Sequence, residues 1–261
     1  MSPSHFFIIG GQRCATTWLW RALSAHPDIE MAHPMRPEPK YFLKVPAENQ
    51  SQDSYSKAHY SGTTKVRGEK STSYSESVPA VRNILAMFPK ARFVMLIRDP
   101  IDRAISNVRF SRDNGLEQDT LEAALGRELD NADGSPAMVS GVSVSPFAYL
   151  ARSDFLTAIA RLQQVIPSGQ LMTVQSEILT SDPAVLMSLC GFLGVDESRL
   201  PLPDFQPVNA AIGSEGDMAS ELGTELLSRL RTHFAPMLPR LVADHGVDLA
   251  KWTTTCPAEA I

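Results

Sequence analysis

Two glycines, a cation and two hydroxyls stand together in Gly10-Gly11-Gln12-Arg13-Cys14-Ala15-Thr16-Thr17. They lie between an apolar run at 6–9 and a helical pattern over 16–26. Glycines permit a tight turn, and the N–H groups at a helix start face an anion. The loop departs twice from the nucleotide phosphate loop G-x-x-x-x-G-K-[ST]. Ala15 stands at the second glycine and Thr16 at the lysine, so cation duty passes to Arg13. The plainer alternative is a strand-to-helix turn with a Thr cap. A cysteine-phosphatase loop fits poorly, because Trp20 stands where its arginine is required and Arg21 comes one residue late. Cys14 beside Arg13 at a helix start is in a setting that lowers a thiol pKa. Alkylation is then expected to inactivate, with a buried, inert thiol as the alternative.

Further charges fall at comparable places. Arg13 follows the first predicted strand, Glu38 and Lys40 the second, Lys70 the third and Arg98 the fourth. In a parallel sheet, ligands bind outside the carboxyl ends of the strands, and a cation near four consecutive ends points to an anion site. A guanidinium at Arg98 can grip a phosphate in bidentate fashion. Ser106 lies two turns along the helix that Pro100 opens, where the bland alternative is a bond to its own backbone. Arg103 reads as a salt-bridge partner of Asp99 or Asp102.

The elements needed to hold these residues alternate. Strands are expected at 6–9, 29–32, Val66–Lys70, Arg92–Ile97 and Leu171–Gln175. Helices are expected over 16–26, 78–88, 100–112, 182–193 and 222–234, with long helical periodicity over 147–166. Residues 44–65 read as irregular. This alternation predicts an α/β fold, a single P-loop-like domain over 1–261 with a central parallel sheet of about five strands flanked by helices. Residues 111–145 hold seven acidic residues against Arg112 and Arg127, and read as an acceptor-covering insertion.

Composition narrows the function. Of 261 residues 43% are hydrophobic and 20% charged, enough apolar surface for a folded core. No apolar run approaches the ~20 residues of a membrane span, and the first residues lack a secretory pattern, so a cytoplasmic protein is expected. Cys14, Cys190 and Cys256 have neither disulfide nor metal spacing. A net charge of −5 argues against nucleic acid as a partner.

Taken in order, these pieces resemble one family. Gly11-Gln12-Arg13-Cys14-Ala15-Thr16-Thr17 is similar to the 5′-phosphosulfate loop of sulfotransferases that use 3′-phosphoadenosine-5′-phosphosulfate, and Arg98 through Ser106 is similar to their 3′-phosphate motif. Glu38-Pro39-Lys40-Tyr41-Phe42 and Gly68-Glu69-Lys70-Ser71 resemble the E-P-x-x-F and G-E-K-S/T stretches of the heparan-sulfate-sulfotransferase-like branch, including its bacterial members. Gly246-Val247-Asp248-Leu249-Ala250-Lys251-Trp252 is similar to the usual bacterial ending. Two departures stand out. Cys14 and Ala15 replace the family's frequent Ser/Thr-Gly pair, which is tolerable if Ala15 takes ordinary helical angles. The stretch matching the family's nucleotide-covering loop, 209–217, has no cation.

The resemblance implies sulfuryl transfer without a metal, yielding adenosine 3′,5′-bisphosphate. Gly11, Gln12, Arg13, Cys14, Ala15, Thr16 and Thr17 would hold the 5′ end of the donor, and Arg98 and Ser106 the 3′-phosphate. Arg13 and Lys70 would stabilise charge on the sulfuryl group and the leaving phosphate. Glu38 would be the general base for the acceptor hydroxyl or, second, amine, with an ion pair to Arg36 or Lys40 as the alternative and His33 as the fallback base. The acid-rich insertion would repel a sulfated polymer, so a small neutral or cationic acceptor is expected, such as a natural product or glycolipid head. The rivals are a P-loop kinase-like phosphotransferase, which lacks its loop lysine here, and a non-catalytic nucleotide-binding protein, which would not need Glu38.

Overall fold

A computed structural model describes residues 3–130, 147–201 and 221–257. In chain order, β1 (Ser4–Gly10) leads through the glycine loop into α1 (Thr16–Ser24), and β2 (Ile29–Met31) precedes α2 (Tyr41–Lys44) and α3 (Gln52–His59). Then come β3 (Val66–Lys70), α4 (Val78–Met87), β4 (Arg92–Ile97), α5 (Pro100–Asp113), α6 (Leu121–Asp130) and α7 (Phe155–Gln163). The remainder is β5 (Leu171–Gln175), α8 (Ser176–Leu179), α9 (Pro183–Leu193), α10 (Thr224–Phe234) and α11 (Leu238–His245).

The strands form one five-stranded sheet in the order β2-β3-β1-β4-β5, the expected α/β architecture with helices around a parallel sheet. β1 is buried from His5 to Gly10, as a central strand covered on both faces must be. Register is set by β1, with Phe6 opposite Gly68 on β3 and Ile8 opposite Lys70. Gly68 is needed there, because a Cβ would stand 2.2 Å from Phe6 Cζ and 2.6 Å from Met31 Sδ. Phe7 is packed among Phe42, Tyr74, Phe88 and Phe93, which fixes the segments behind the sheet.

The described residues divide into two compact units, one drawn from Met1–Leu96 and Ala160–Val208, the other from Ile97–Ile159 and Asn209–Ile261. The first holds the sheet. In the second, α5 buries Ile101, Ala104, Ile105 and Val108, and α10 buries Leu226, Leu227, Leu230 and Phe234. No helix among the described residues is long and apolar enough to cross a membrane.

Two local expectations change. Residues 44–65 are not irregular throughout: α3 is capped by Ser51, whose Oγ accepts from Ser54 N–H, and it buries Tyr55 alone. The long periodicity over 147–166 becomes a single turn at Ala151–Ser153 followed by the shorter α7. Within 111–145, α6 buries Leu121, Ala124 and Leu125, which leaves the expected insertion standing. Its later part and the stretch 209–217 lie outside the described residues.

Candidate active site

The loop after β1 is shaped by close approach. A Cβ on Gly10 would meet Ser75 Oγ at 2.7 Å and Ser75 Cβ at 2.9 Å, so only glycine lets β1 end against the turn that follows β3. The Ser71 N–H donates to the Ile8 carbonyl at 3.1 Å, holding the two strand ends together. Arg13 and Ala15 then both take left-handed backbone angles, φ 68° and φ 59°. Ala15 therefore does not adopt helical angles; it occupies the conformation that the family's glycine would take without steric cost. Thr16 is not the cap either. Ala15 is the N-cap of α1 and makes no side-chain cap hydrogen bond, and Thr16 is the first helical residue. Cys14 is fully buried and its Sγ donates to the Gln12 carbonyl at 3.5 Å. That geometry favours the inert-thiol alternative, since alkylation needs access. Gln12, Arg13 and Thr17 are half-buried, while Gly11 and Thr16 are buried.

Glu38 and Lys70, 32 residues apart, are brought into contact. Lys70 Nζ donates to Glu38 Oε1 at 2.6 Å, and the two side chains are only 4% and 16% exposed. The Thr72 N–H donates to Oε2 at 3.0 Å and its hydroxyl reaches both carboxylate oxygens. Glu38 is thus ion-paired, and its cation is Lys70 rather than Arg36 or Lys40. His33 lies exposed with its ring 5.6 Å from that of Trp20. Lys40 takes φ 50°, and its N–H donates to Ser71 Oγ at 2.9 Å.

Next to Lys70 is Glu69, a residue to which the sequence pattern alone assigns no role. Glu69, wholly buried, accepts from Ser71 Oγ at 2.6 Å and Tyr74 Oη at 2.7 Å on one oxygen, and from Tyr55 Oη at 2.7 Å on the other. Burial raises its pKa above the usual carboxylate value, and the three hydroxyl bonds oppose that rise. Tyr74 Oη also accepts the Phe42 N–H at 3.1 Å.

In the second unit, Arg98 immediately follows β4, and Arg98 and Ser106 are both half-buried. Asp99 caps α5, its Oδ1 accepting from Ile101 N–H at 3.0 Å and Asp102 N–H at 3.2 Å. Its Oδ2 accepts the N–H groups of Thr254 and Thr255 at 3.1 and 3.0 Å, and Thr255 Oγ1 donates to Oδ1 at 2.7 Å. Burial pushes its pKa up. Arg103, also fully buried, donates to the Tyr149 carbonyl at 2.7 Å, to Ser153 Oγ and to Asn107 Oδ1. Several acids of the 111–145 segment are likewise engaged: Glu117 and Asp119 pair with Arg127, and Glu128 accepts the amides of Tyr149, Leu150 and Ala151. The count of seven acids therefore overstates the negative charge this segment presents.

The residue pattern of the Sulfotransferase family matches residues 48–199. The chain belongs to the sulfotransferase family. The matched stretch contains Lys70, Arg98 and Ser106, while the loop at 11–17 and Glu38 lie before it. Two human relatives of the chain, the bifunctional heparan sulfate N-deacetylase/N-sulfotransferases 2 and 3, are 26% identical over 196 residues and 27% over 199. Each alignment covers 73% of this chain and 22% of the relative, so the chain spans about a fifth of their length. A solved sulfotransferase from Alicyclobacillus acidocaldarius shares the fold, with a TM-score of 0.73 and 21% identity over 97% of this chain and 99% of that one.

Proposed function

We propose that the protein transfers a sulfuryl group from 3′-phosphoadenosine-5′-phosphosulfate to a hydroxyl, or second to an amine, of a small acceptor, with Glu38 as general base. The observation that carries this reading is the 2.6 Å Lys70–Glu38 contact at the carboxyl end of β3, beside the glycine loop of β1. The residues fit the donor's chemistry: a left-handed turn carrying Arg13, an α1 start without a side-chain cap, and the Lys70 ammonium suit an anionic group. When bound, the donor supplies the sulfuryl group, its bond to the leaving phosphate oxygen breaking as the bond to the acceptor oxygen forms. Lys70 moves its hydrogen bond from Glu38 to the developing charge on sulfuryl and phosphate oxygens, joined by Arg13. Glu38, released at Oε1, takes the acceptor's proton. Gly11 through Thr17 orient the 5′-phosphate through backbone N–H groups and the Thr16 and Thr17 hydroxyls. Cys14 and Ala15 contribute only main chain. By the family resemblance, Arg98 and Ser106 hold the 3′-phosphate.

Transfer of ³⁵S from labelled donor to an acceptor panel, with divalent cations chelated, tests the reaction. Labelled product without metal is expected. A requirement for a magnesium nucleotide would favour a kinase-like phosphotransferase, and nucleotide binding without product would favour a pure binding protein. Arg98→Ala should weaken adenosine 3′,5′-bisphosphate by ~1.5–3 kcal/mol while sparing adenosine 5′-phosphosulfate, which has no 3′-phosphate. Equal losses in calorimetry would remove the 3′-phosphate assignment.

For the acceptor, the net charge of −5 supports a neutral or cationic molecule such as a natural product or glycolipid head. The names of the human relatives favour a second reading, an amine on a heparan-type polymer. Efficient sulfation of N-deacetylated heparosan, falling as salt rises, would select that second reading.

A further inference from the structure

We propose that Glu69 is a positioning residue whose buried carboxylate sets the register between the two segments that carry Glu38 and Lys70. This rests on the reading above for its kinetic arm. Lys70, the last residue of β3, and Ser71 follow Glu69 directly, and Glu38 begins the segment that ends in Phe42. Two bridges tie that segment to the carboxylate. Lys40 N–H donates to Ser71 Oγ, which donates to Glu69; Phe42 N–H donates to Tyr74 Oη, which donates to the same oxygen. The two bridges span the backbone between Glu38 and α2, so they set where the Glu38 carboxylate meets Lys70 Nζ. Tyr55 closes the other side of Glu69, and its hydroxyl lies 3.0 Å from Tyr60 Oη, which in turn donates to the Gly68 carbonyl. A carboxylate so enclosed touches neither donor nor acceptor; its effect on reaction passes through the geometry of its neighbours.

The network also dictates which change is tolerated. In Glu69→Gln the amide oxygen still accepts from Ser71 and Tyr74. Tyr55 then reverses, accepting from the new NH₂ and donating to Tyr60. Every bond survives. Glu69→Ala removes the hub, and Tyr74→Phe removes one bridge while leaving Glu69 and the aromatic packing in place.

Two readouts separate positioning from general stability. The first needs no activity: acylation of lysines by a succinimidyl ester, mapped by peptide mass. Lys70 should be protected in the native protein and in Glu69→Gln. It should react several-fold faster in Tyr74→Phe and Glu69→Ala, with the exposed Lys57 as an unchanged internal reference. The second is kinetic: Tyr74→Phe should lower kcat by ~10- to 10²-fold while the Kd for adenosine 3′,5′-bisphosphate stays within about twofold, as expected of a misplaced reacting pair. Unchanged Lys70 protection in Tyr74→Phe, or loss of protection in Glu69→Gln equal to that in Glu69→Ala, would overturn the positioning role. Should the labelling pattern appear while no acceptor is ever sulfated, the reaction assignment fails and the positioning role stands.

Discussion

Glu69 in the first unit and Asp99 in the second are both buried carboxylates, yet they are held by different kinds of donor. Glu69 receives three hydroxyls, from Ser71, Tyr74 and Tyr55. Asp99 receives four backbone amides and one hydroxyl, and its amide donors come from two distant places, the start of α5 and Thr254-Thr255. A hydroxyl can turn and accept; an amide N–H cannot. The first arrangement is therefore adaptable and the second is not, although burial raises both pKa values.

The largest expected effect breaks this comparison if it fails. In Asp99→Asn, either orientation of the amide points an NH₂ at two buried N–H groups and leaves them without an acceptor. With ~1–3 kcal/mol for each such group, the loss should be about 2–6 kcal/mol in denaturant unfolding. Glu69→Gln, which keeps every bond and adds one buried N–H, should cost less, about 1–3 kcal/mol in the same assay. Comparable losses for the two would show that donor type does not govern how these sites respond.

A third buried group sharpens the contrast, because one of its polar atoms has no partner among the described residues. His5 stacks on Phe88 at 3.8 Å, and its Nε2 has no hydrogen-bond partner among the described residues. Burial, aided by the Arg67 charge, lowers its pKa from 6.5 to about 4. The folded state thus resists protonation that the unfolded chain accepts. Its stabilising contribution is complete above pH 6.5 and is lost as pH falls from 6.5 to about 4, up to ~3 kcal/mol in all. Glu69 and Asp99 act oppositely, since a raised folded pKa gives stability that is present at low pH and lost as pH rises. Unfolding of native protein and His5→Phe should be compared between pH 7 and 4.5. The native protein should lose more stability on acidification than the variant; equal losses would remove His5 from the account.

The smallest effect isolates backbone strain from either carboxylate. Ala15→Gly relieves an alanine at φ 59° and should stabilise by about 0.5–1 kcal/mol with both carboxylate networks untouched. A destabilised variant would mean that the Ala15 methyl packs productively in the loop.

Much of this was readable beforehand. The bounds of β3, β4 and β5 follow from short apolar or mixed runs between turn residues, and the α1 start follows from Gly10-Gly11. Glu38 and Lys70 could be named singly, because each follows a strand and matches a family stretch. Their contact could not, since it depends on how residues 38–42 fold back over β3. Glu69 was hidden for a related reason. Its Tyr55 partner sits on α3, a polar helix with one buried residue, whose only local signal was the Ser51 cap. Asp99 read only as a salt-bridge partner for Arg103; its bonds to Thr254 and Thr255 span more than 150 residues and leave no local pattern.

The central claim is that Glu38 takes the acceptor's proton while Lys70 bears the developing charge, and Glu38→Gln tests it most directly. The measurement is kcat at saturating donor, using the best acceptor from the labelled-donor panel, alongside the Kd of adenosine 3′,5′-bisphosphate. The account predicts a fall in kcat of roughly 10²–10⁴ with the nucleotide Kd preserved, because the amide keeps the side chain's shape and loses the base. Turnover at the native rate by Glu38→Gln at neutral pH would contradict it and return the proton to His33 or to solvent.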